Sequence, residues 1–243
     1  MTNFEEKVWK LDKSILYEIL PFGGFFNERR VILVNKLESI FGIDWFAGKK
    51  ILELGCGTGR IGRYFKQLGA DVTFCDAREK ILNTILLDDK DANCVVLNNE
   101  TDWSLPNYYD LIIHFGLFYN LDNWQKDLVC TLKQGKFIAF EGGVSRFTKP
   151  FSAKITNPNY EYEHYGPFSK IGTLVSSVDV EKILEKQNKE WVRYDDIDLN
   201  GINYSYNWVE DDTDYERLST NTVTLESWNE IPYVGGRRFW LIK

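Results

Sequence analysis

Three glycines at alternate positions, Gly55-Cys56-Gly57-Thr58-Gly59, stand between two carboxylates. Glu53 lies just before them, and Asp76 ends the next apolar run. Glycines at this spacing force a tight turn in which backbone comes close to something a Cβ would push away. Placed between a strand and a helix, such a turn holds a nucleoside-containing ligand at the carboxyl ends of parallel strands. The spacing leaves two kinds of ligand open. Counted from Gly55, a dinucleotide pattern lacks its third glycine, because position 60 is arginine. Counted from Gly57, it is met by Gly57, Gly59 and Gly62, but it starts two residues late. Glu53 weighs on the choice: an acid just before the turn repels a pyrophosphate and suits a ligand that carries an ammonium.

The elements that must position these residues follow from the apolar pattern. Ile51-Leu52-Glu53-Leu54 is a short apolar run between lysines and the glycines, as expected of a buried parallel strand. From Arg60 the period changes, and Ile61, Tyr64, Phe65 and Leu68 mark one face of a helix that Gly69 ends. Asp71–Asp76 is a second strand finishing on its carboxylate.

The run ELGCGTG, with Glu53 inside it and Asp76 after the next strand, resembles motif I of the class I S-adenosylmethionine (SAM)-dependent methyltransferases. The resemblance is specific over about residues 28–143 and weaker over 176–243. It implies a three-layer, doubly wound, mostly parallel seven-stranded sheet with the last strand antiparallel, and SAM as cofactor with S-adenosylhomocysteine (SAH) as product. It also implies that Asp76 takes both ribose hydroxyls. The cofactor residues expected on this basis are Glu53, Gly55, Cys56, Gly57, Thr58, Gly59, Asp76, Ala77, Arg78, Asp102, Trp103, His114 and Phe115. Asp102 would accept from the adenine amine and Trp103 would cover the ring.

Further along, Cys94–Leu97 reads as a third strand and Tyr109–His114 as a fourth. A helix covers about Trp124–Leu132, and Lys136–Glu141 is a fifth strand ending at the ligand edge in Gly142-Gly143. The run after the fourth strand, Phe115-Gly116-Leu117-Phe118-Tyr119-Asn120-Leu121, resembles the continuation of the family's motif IV. Asn120 replaces the histidine often found there, which weakens an imidazole-base mechanism at that point. Trp191–Tyr194 and Gly236–Ile242 are the remaining strands, with a helix from Ser177, its expected N-cap, before the first of them.

The whole reads as one domain, 1–243. An N-terminal helical cap (1–48) hinges at Gly23-Gly24, a SAM-binding core covers 49–143, and aromatic insertions at 144–175 and 197–235 face the substrate.

Methyl transfer from a sulfonium is an in-line displacement, so the acceptor half needs alignment more than a fixed set of residues. Candidate catalytic groups are His114, Tyr119 and Glu141. Tyr165, Tyr206 and Trp208 are candidate substrate contacts, and His164 is another group from the insertions. This aromatic density suits a sugar, a nucleoside or another small molecule with an O or N acceptor atom. A non-catalytic SAM-binding module, an alkyltransferase acting on a modified tRNA uridine and a nicotinamide-dependent oxidoreductase are the alternatives.

Composition sets the outer limits. The 243 residues are 44% hydrophobic and 27% charged, with a net charge of −7, which argues against a broad footprint for nucleic acid or an anionic membrane. Four scattered cysteines and two histidines suggest neither a metal site nor a disulfide framework, so a reducing cytoplasm is expected. No apolar run reaches membrane-spanning length. Oligomeric state is not legible.

Overall fold

The computed structural model describes residues 13–16, 23–156, 171–201, 205–213, 215–216 and 234–243. Its strands are β1 (Lys50–Leu54), β2 (Asp71–Asp76), β3 (Asn93–Val96), β4 (Tyr109–Phe115), β5 (Gly135–Ser145), β6 (Ser152–Thr156), β7 (Ile171–Val175), β8 (Trp191–Tyr194) and β9 (Val234–Ile242). All but β6 and β7 join one seven-stranded sheet in the order β3-β2-β1-β4-β5-β9-β8. Neighbours from β3 to β5 are parallel, and β9 runs antiparallel to both β5 and β8. The chain leaves β1 toward β2 and β3, then returns to place β4 on the other side. The reversal opens a crevice between the carboxyl ends of β1 and β4, where open α/β sheets bind ligands.

Helices cover both faces. α1 (Gly23–Phe41), α2 (Arg60–Gln67) and α3 (Glu79–Asp88) bury one side of the sheet. There Leu33, Val34, Leu37, Tyr64, Phe65 and Ile85 meet Ile51, Phe74 and Ile113. α4 (Trp124–Gln134) and α5 (Ser177–Lys186) bury the other, with Trp124, Leu128 and Leu184 against Leu52, Ile112, Phe140 and Trp240. Every strand from β1 to β5 therefore separates two apolar layers. The alternation decides on which layer each polar side chain near the crevice must find its partners.

Three expectations change. β5 does not stop at Glu141: it runs on to Ser145, because β9 pairs with it in antiparallel register through Gly142 and Gly143. The first insertion is not irregular throughout, since β6 and β7 form an antiparallel pair of their own. The cap of α5 is Ser176 rather than Ser177. The Asp179 carboxylate accepts from the Ser176 backbone N–H at 3.1 Å and from its hydroxyl at 2.7 Å. Gly23 and Gly24, the expected hinge, are the first two residues of α1.

Candidate functional site

The glycine turn is held by backbone and by two buried acids. Cys56 N–H donates to the Cys75 carbonyl at 2.9 Å, which ties the turn to β2. Gly59 caps α2 with φ 70°, a left-handed conformation that glycine adopts without a Cβ penalty. A Cβ added at Gly57 would meet nothing within 4 Å, so the backbone there faces open space. Gly55, Gly57 and Thr58 are partly exposed on this side, while Cys56 and Gly59 are buried.

Glu53 is only 5% exposed and accepts from the Gly62 N–H at 2.8 Å. It braces the first turn of α2. Burial pushes its carboxyl up to about 8, against the pull of the Gly62 N–H and the Arg30 charge.

Asp76, 3% exposed at the end of β2, accepts from Gly57 N–H at 3.0 Å and from Arg78 N–H at 2.9 Å. The Arg78 guanidinium also reaches it, Nε to Oδ1 at 2.9 Å and Nη2 to Oδ2 at 3.0 Å. Burial pushes this carboxyl up, but the Arg78 bonds and charge outweigh it and hold the group below its ordinary range. An ionised acceptor thus sits beside the open backbone of Gly57. That combination fits a ribose placed across the turn, with the Arg78 side chain displaced by the incoming hydroxyls. Ala77 and Arg78, both partly exposed, flank it.

The adenine expectation fares differently. The Asp102 side chain is 85% exposed and pairs loosely with Lys126 at 3.8 Å. Trp103 is 8% exposed and packs into the layer beneath α4, where its indole N–H donates to Asp127 Oδ1 at 2.9 Å. It anchors the loop to the core and covers no ligand face. Asp127 also accepts from the Asn99 amide at 2.6 Å and lies 2.6 Å from His114 Nε2. His114 has no exposure, and its ring packs on Phe140 at 4.7 Å. Its side chain belongs to this buried network. Phe115, on the opposite layer, is 8% exposed and packs edge-on against Phe239 at 5.9 Å. Asp127 went unread in the sequence, although a carboxylate in the helix stripe of Trp124, Leu128 and Thr131 signals a buried partner.

A second polar cluster lies on the α1 side, at the carboxyl end of β4 and beside Glu141 within β5. Glu141 is fully buried; Arg237 Nε donates to its Oε1, and Nη2 reaches its Oε2 at 3.1 Å. The Tyr206 hydroxyl donates to Oε1 at 2.8 Å, and Tyr206 too is fully buried. Burial pushes the Glu141 carboxyl up, but Arg237 and Arg29 together hold it below its usual range. It is an ion-paired carboxylate, not a free base.

Tyr119 is partly exposed, with Arg237 Nη2 3.5 Å from its oxygen and the guanidinium 5.1 Å from its ring centre. Burial raises its phenol, but the charges of Arg237 and Arg29 outweigh that and lower it. Arg29 stacks over Gly116, where an added Cβ would lie 2.7 Å from Nη2. Trp208 is taken up elsewhere: its N–H donates to the Arg237 carbonyl at 3.2 Å, and the Arg238 guanidinium lies 3.6 Å from its ring centre. Tyr206 and Trp208 are therefore structural contacts in this arrangement. Tyr165 and His164 lie outside the described residues. Among the described residues, no group of three or more His, Cys, Asp or Glu is arranged to hold a metal ion.

Residues 52–134 match the family described as a methyltransferase domain. Over 96 residues the chain is 33% identical to an "Uncharacterized RNA methyltransferase" of Leptospira interrogans serovar copenhageni, covering 37% of this chain and 23% of that protein. The chain thus spans about a quarter of the length of that curated relative, 23%.

Among solved structures, the N-terminal domain of EvdMO1 with SAH bound superposes with a TM-score of 0.56 at 12% identity, covering 86% of this chain and 79% of that one. The plantazolicin methyltransferase BpumL, bound to a triazolic desmethylPZN analog and SAH, gives 0.53 at 18%, covering 89% and 85%. An S-adenosylmethionine-dependent methyltransferase of Clostridium acetobutylicum ATCC 824 gives 0.53 at 12%, covering 99% of each chain. At these identities the likeness speaks for the fold. The chain thus carries a segment, residues 52–134, that matches a methyltransferase domain, set in the Rossmann-like sheet that these structures share.

Proposed function

We propose that this chain transfers the methyl group of SAM to an oxygen or nitrogen atom of a small-molecule acceptor, leaving SAH. The observation that carries this reading is the glycine turn after β1, open at Gly57, whose N–H donates to the ionised Asp76 at the end of β2, beside the crevice where strand order reverses. When bound, SAM supplies a methyl group already activated by its sulfonium. The chain's own residues then bind and orient. Asp76 offers its carboxylate to the ribose hydroxyls, Gly55–Gly59 present backbone to the methionine end, and Gly116–Tyr119 with Arg237 form the acceptor side. Alignment and exclusion of water are the main requirements of such a displacement.

A small acceptor agrees with the likeness to structures that hold small molecules, such as BpumL with its triazolic analog. The finer reading, a sugar or nucleoside, rested on aromatic side chains at the rim. Tyr206 and Trp208 are now engaged internally, which leaves Tyr119 as the described residue of that kind facing the crevice. Residence in a reducing cytoplasm is part of the proposal and agrees with four free thiols. No helix among the described residues is long and apolar enough to cross a membrane.

An RNA acceptor, including a modified tRNA uridine, is the second reading. It is favoured by the name that the Leptospira relative carries, so the expectation that nucleic acid is an unlikely partner finds no support.

Incubation with methyl-tritiated SAM and separate small-molecule and RNA fractions of a cell extract decides among these. Label in the small-molecule fraction is the expected result. Label confined to RNA establishes the second reading, and SAH binding without transfer to either fraction points to a non-catalytic module.

A further inference from the structure

Given the methyltransferase reading, on which this inference rests, the acceptor side holds an arrangement that narrows the substrate. Two guanidiniums reach the carboxyl end of β4 and the neighbouring part of β5: Arg29 over Gly116, and Arg237 between Glu141 and Tyr119. This cluster borders the cofactor turn, because a Cβ added at Gly55 would lie 3.1 Å from the Leu117 side chain, two residues before Tyr119.

Two described groups that could remove a proton from an acceptor, His114 and Glu141, are engaged elsewhere. His114 lies on the opposite layer with Asp127 and has no exposure, and Glu141 is saturated by Arg237 and Tyr206. At the Tyr119 oxygen the two arginine charges outweigh both burial and the nearby Glu141 carboxylate, so the local field is positive where the crevice meets the protein. Among the described residues neither His114 nor Glu141 is placed to take a proton there. The positive field suits an acceptor whose nucleophilic oxygen is already an anion.

We infer that the acceptor presents an oxyanion, a carboxylate or a phosphoryl-type group, to Arg237 and the Tyr119 hydroxyl, and that this oxygen takes the methyl group. An oxygen lone pair forms the new O–CH3 bond while the methyl–sulfur bond breaks and its electron pair stays on sulfur. The sulfonium becomes a neutral thioether, the oxyanion loses one negative charge in becoming an ester, and no proton moves. Placed between the sulfonium and the guanidiniums, the anion is attracted from both sides.

The test uses the SAH-saturated protein titrated with benzoate, phenylphosphonate and benzamide, three probes of similar shape that differ in charge. At least one of the two anions is expected to bind tenfold or more tightly than benzamide, and the tighter anion identifies the oxyanion class. Replacing the ion pair as a whole, Arg237→Gln with Glu141→Gln, avoids stranding the buried Glu141 carboxylate; it is expected to abolish the preference while SAH affinity stays unchanged. Tyr119→Phe is expected to weaken the anion several-fold and leave benzamide unaffected.

The inference is overturned if neither anion binds better than benzamide, or if the preference survives the double substitution. It is also overturned if the double substitution removes SAH binding, which would put Arg237 on the cofactor. SAH titration of the unaltered protein reports the cofactor reading separately, so failure of one is not confused with failure of the other.

Discussion

The two halves of the crevice are built by different means. On the cofactor side, residues 53–78 supply nearly everything from one stretch of chain, and the decisive features are backbone: a left-handed Gly59, an open Gly57, N–H groups aimed at Glu53 and Asp76. On the acceptor side, Arg29, Tyr119, Glu141, Tyr206 and Arg237 come from five separate segments, and the decisive features are side-chain charges in a buried cluster. The first half is fixed by local geometry that only glycine satisfies at low cost. The second depends on ion pairing, which many sequences could provide and which only the folded chain brings together.

Single substitutions should therefore hurt the two halves in different ways. The largest expected effect is on the acceptor side. Arg237→Gln alone strands the buried Glu141 carboxylate and should lower stability by about 3–5 kcal/mol. Adding Glu141→Gln should recover most of the loss, as urea unfolding of both variants would show. If the single change costs no more than the double, the cluster is not held by charge.

Next is a pH effect on the cofactor side. Folded Glu53 keeps its proton up to about pH 8, against an ordinary value of 4.5. Across that window the unfolded chain binds fewer protons than the folded one, so this group makes stability fall as pH rises. Glu53→Gln keeps an acceptor for the Gly62 N–H and removes the titration. The variant should gain up to about 4 kcal/mol relative to the unaltered chain between pH 5 and pH 8. If the two stability profiles instead run parallel over this range, Glu53 is ionised in the fold and its burial does not govern it.

A smaller effect tests the backbone itself. Gly59→Ala adds a Cβ at φ 70°, 2.8 Å from the Ile85 Cδ1. Left-handed strain and crowding together should cost roughly 2–3 kcal/mol. Thermal unfolding that shows no loss would mean the turn tolerates a side chain, and the backbone account of this half would fail.

The same contrast explains what could be read from the sequence. The strand–turn–helix–strand unit was legible because glycine spacing and the switch from apolar run to helical period are local signals; β1, β2 and α2 stand where they predict. The extension of β5 to Ser145 was not, since it depends on pairing with β9, almost a hundred residues away (Gly143 with Arg237). Trp103 and His114 carry the residue types of a ligand site, but their partner is Asp127 on α4, and only the fold shows all three sharing one buried layer. Glu141 and Tyr206 were picked out for chemistry and turn out to neutralise and brace Arg237 and each other. A buried carboxylate reads alike in sequence whether it is free to act or bound to an arginine.

The central claim, that SAM is seated on the glycine turn with its ribose on Asp76, is tested most directly by calorimetric titration of SAH into the unaltered protein and into Asp76→Ala. Binding by the first, weakened by about 1–3 kcal/mol in the second through loss of charge-assisted hydrogen bonds, is the predicted result. No heat of binding at high SAH concentration, or equal affinity in both proteins, would contradict it.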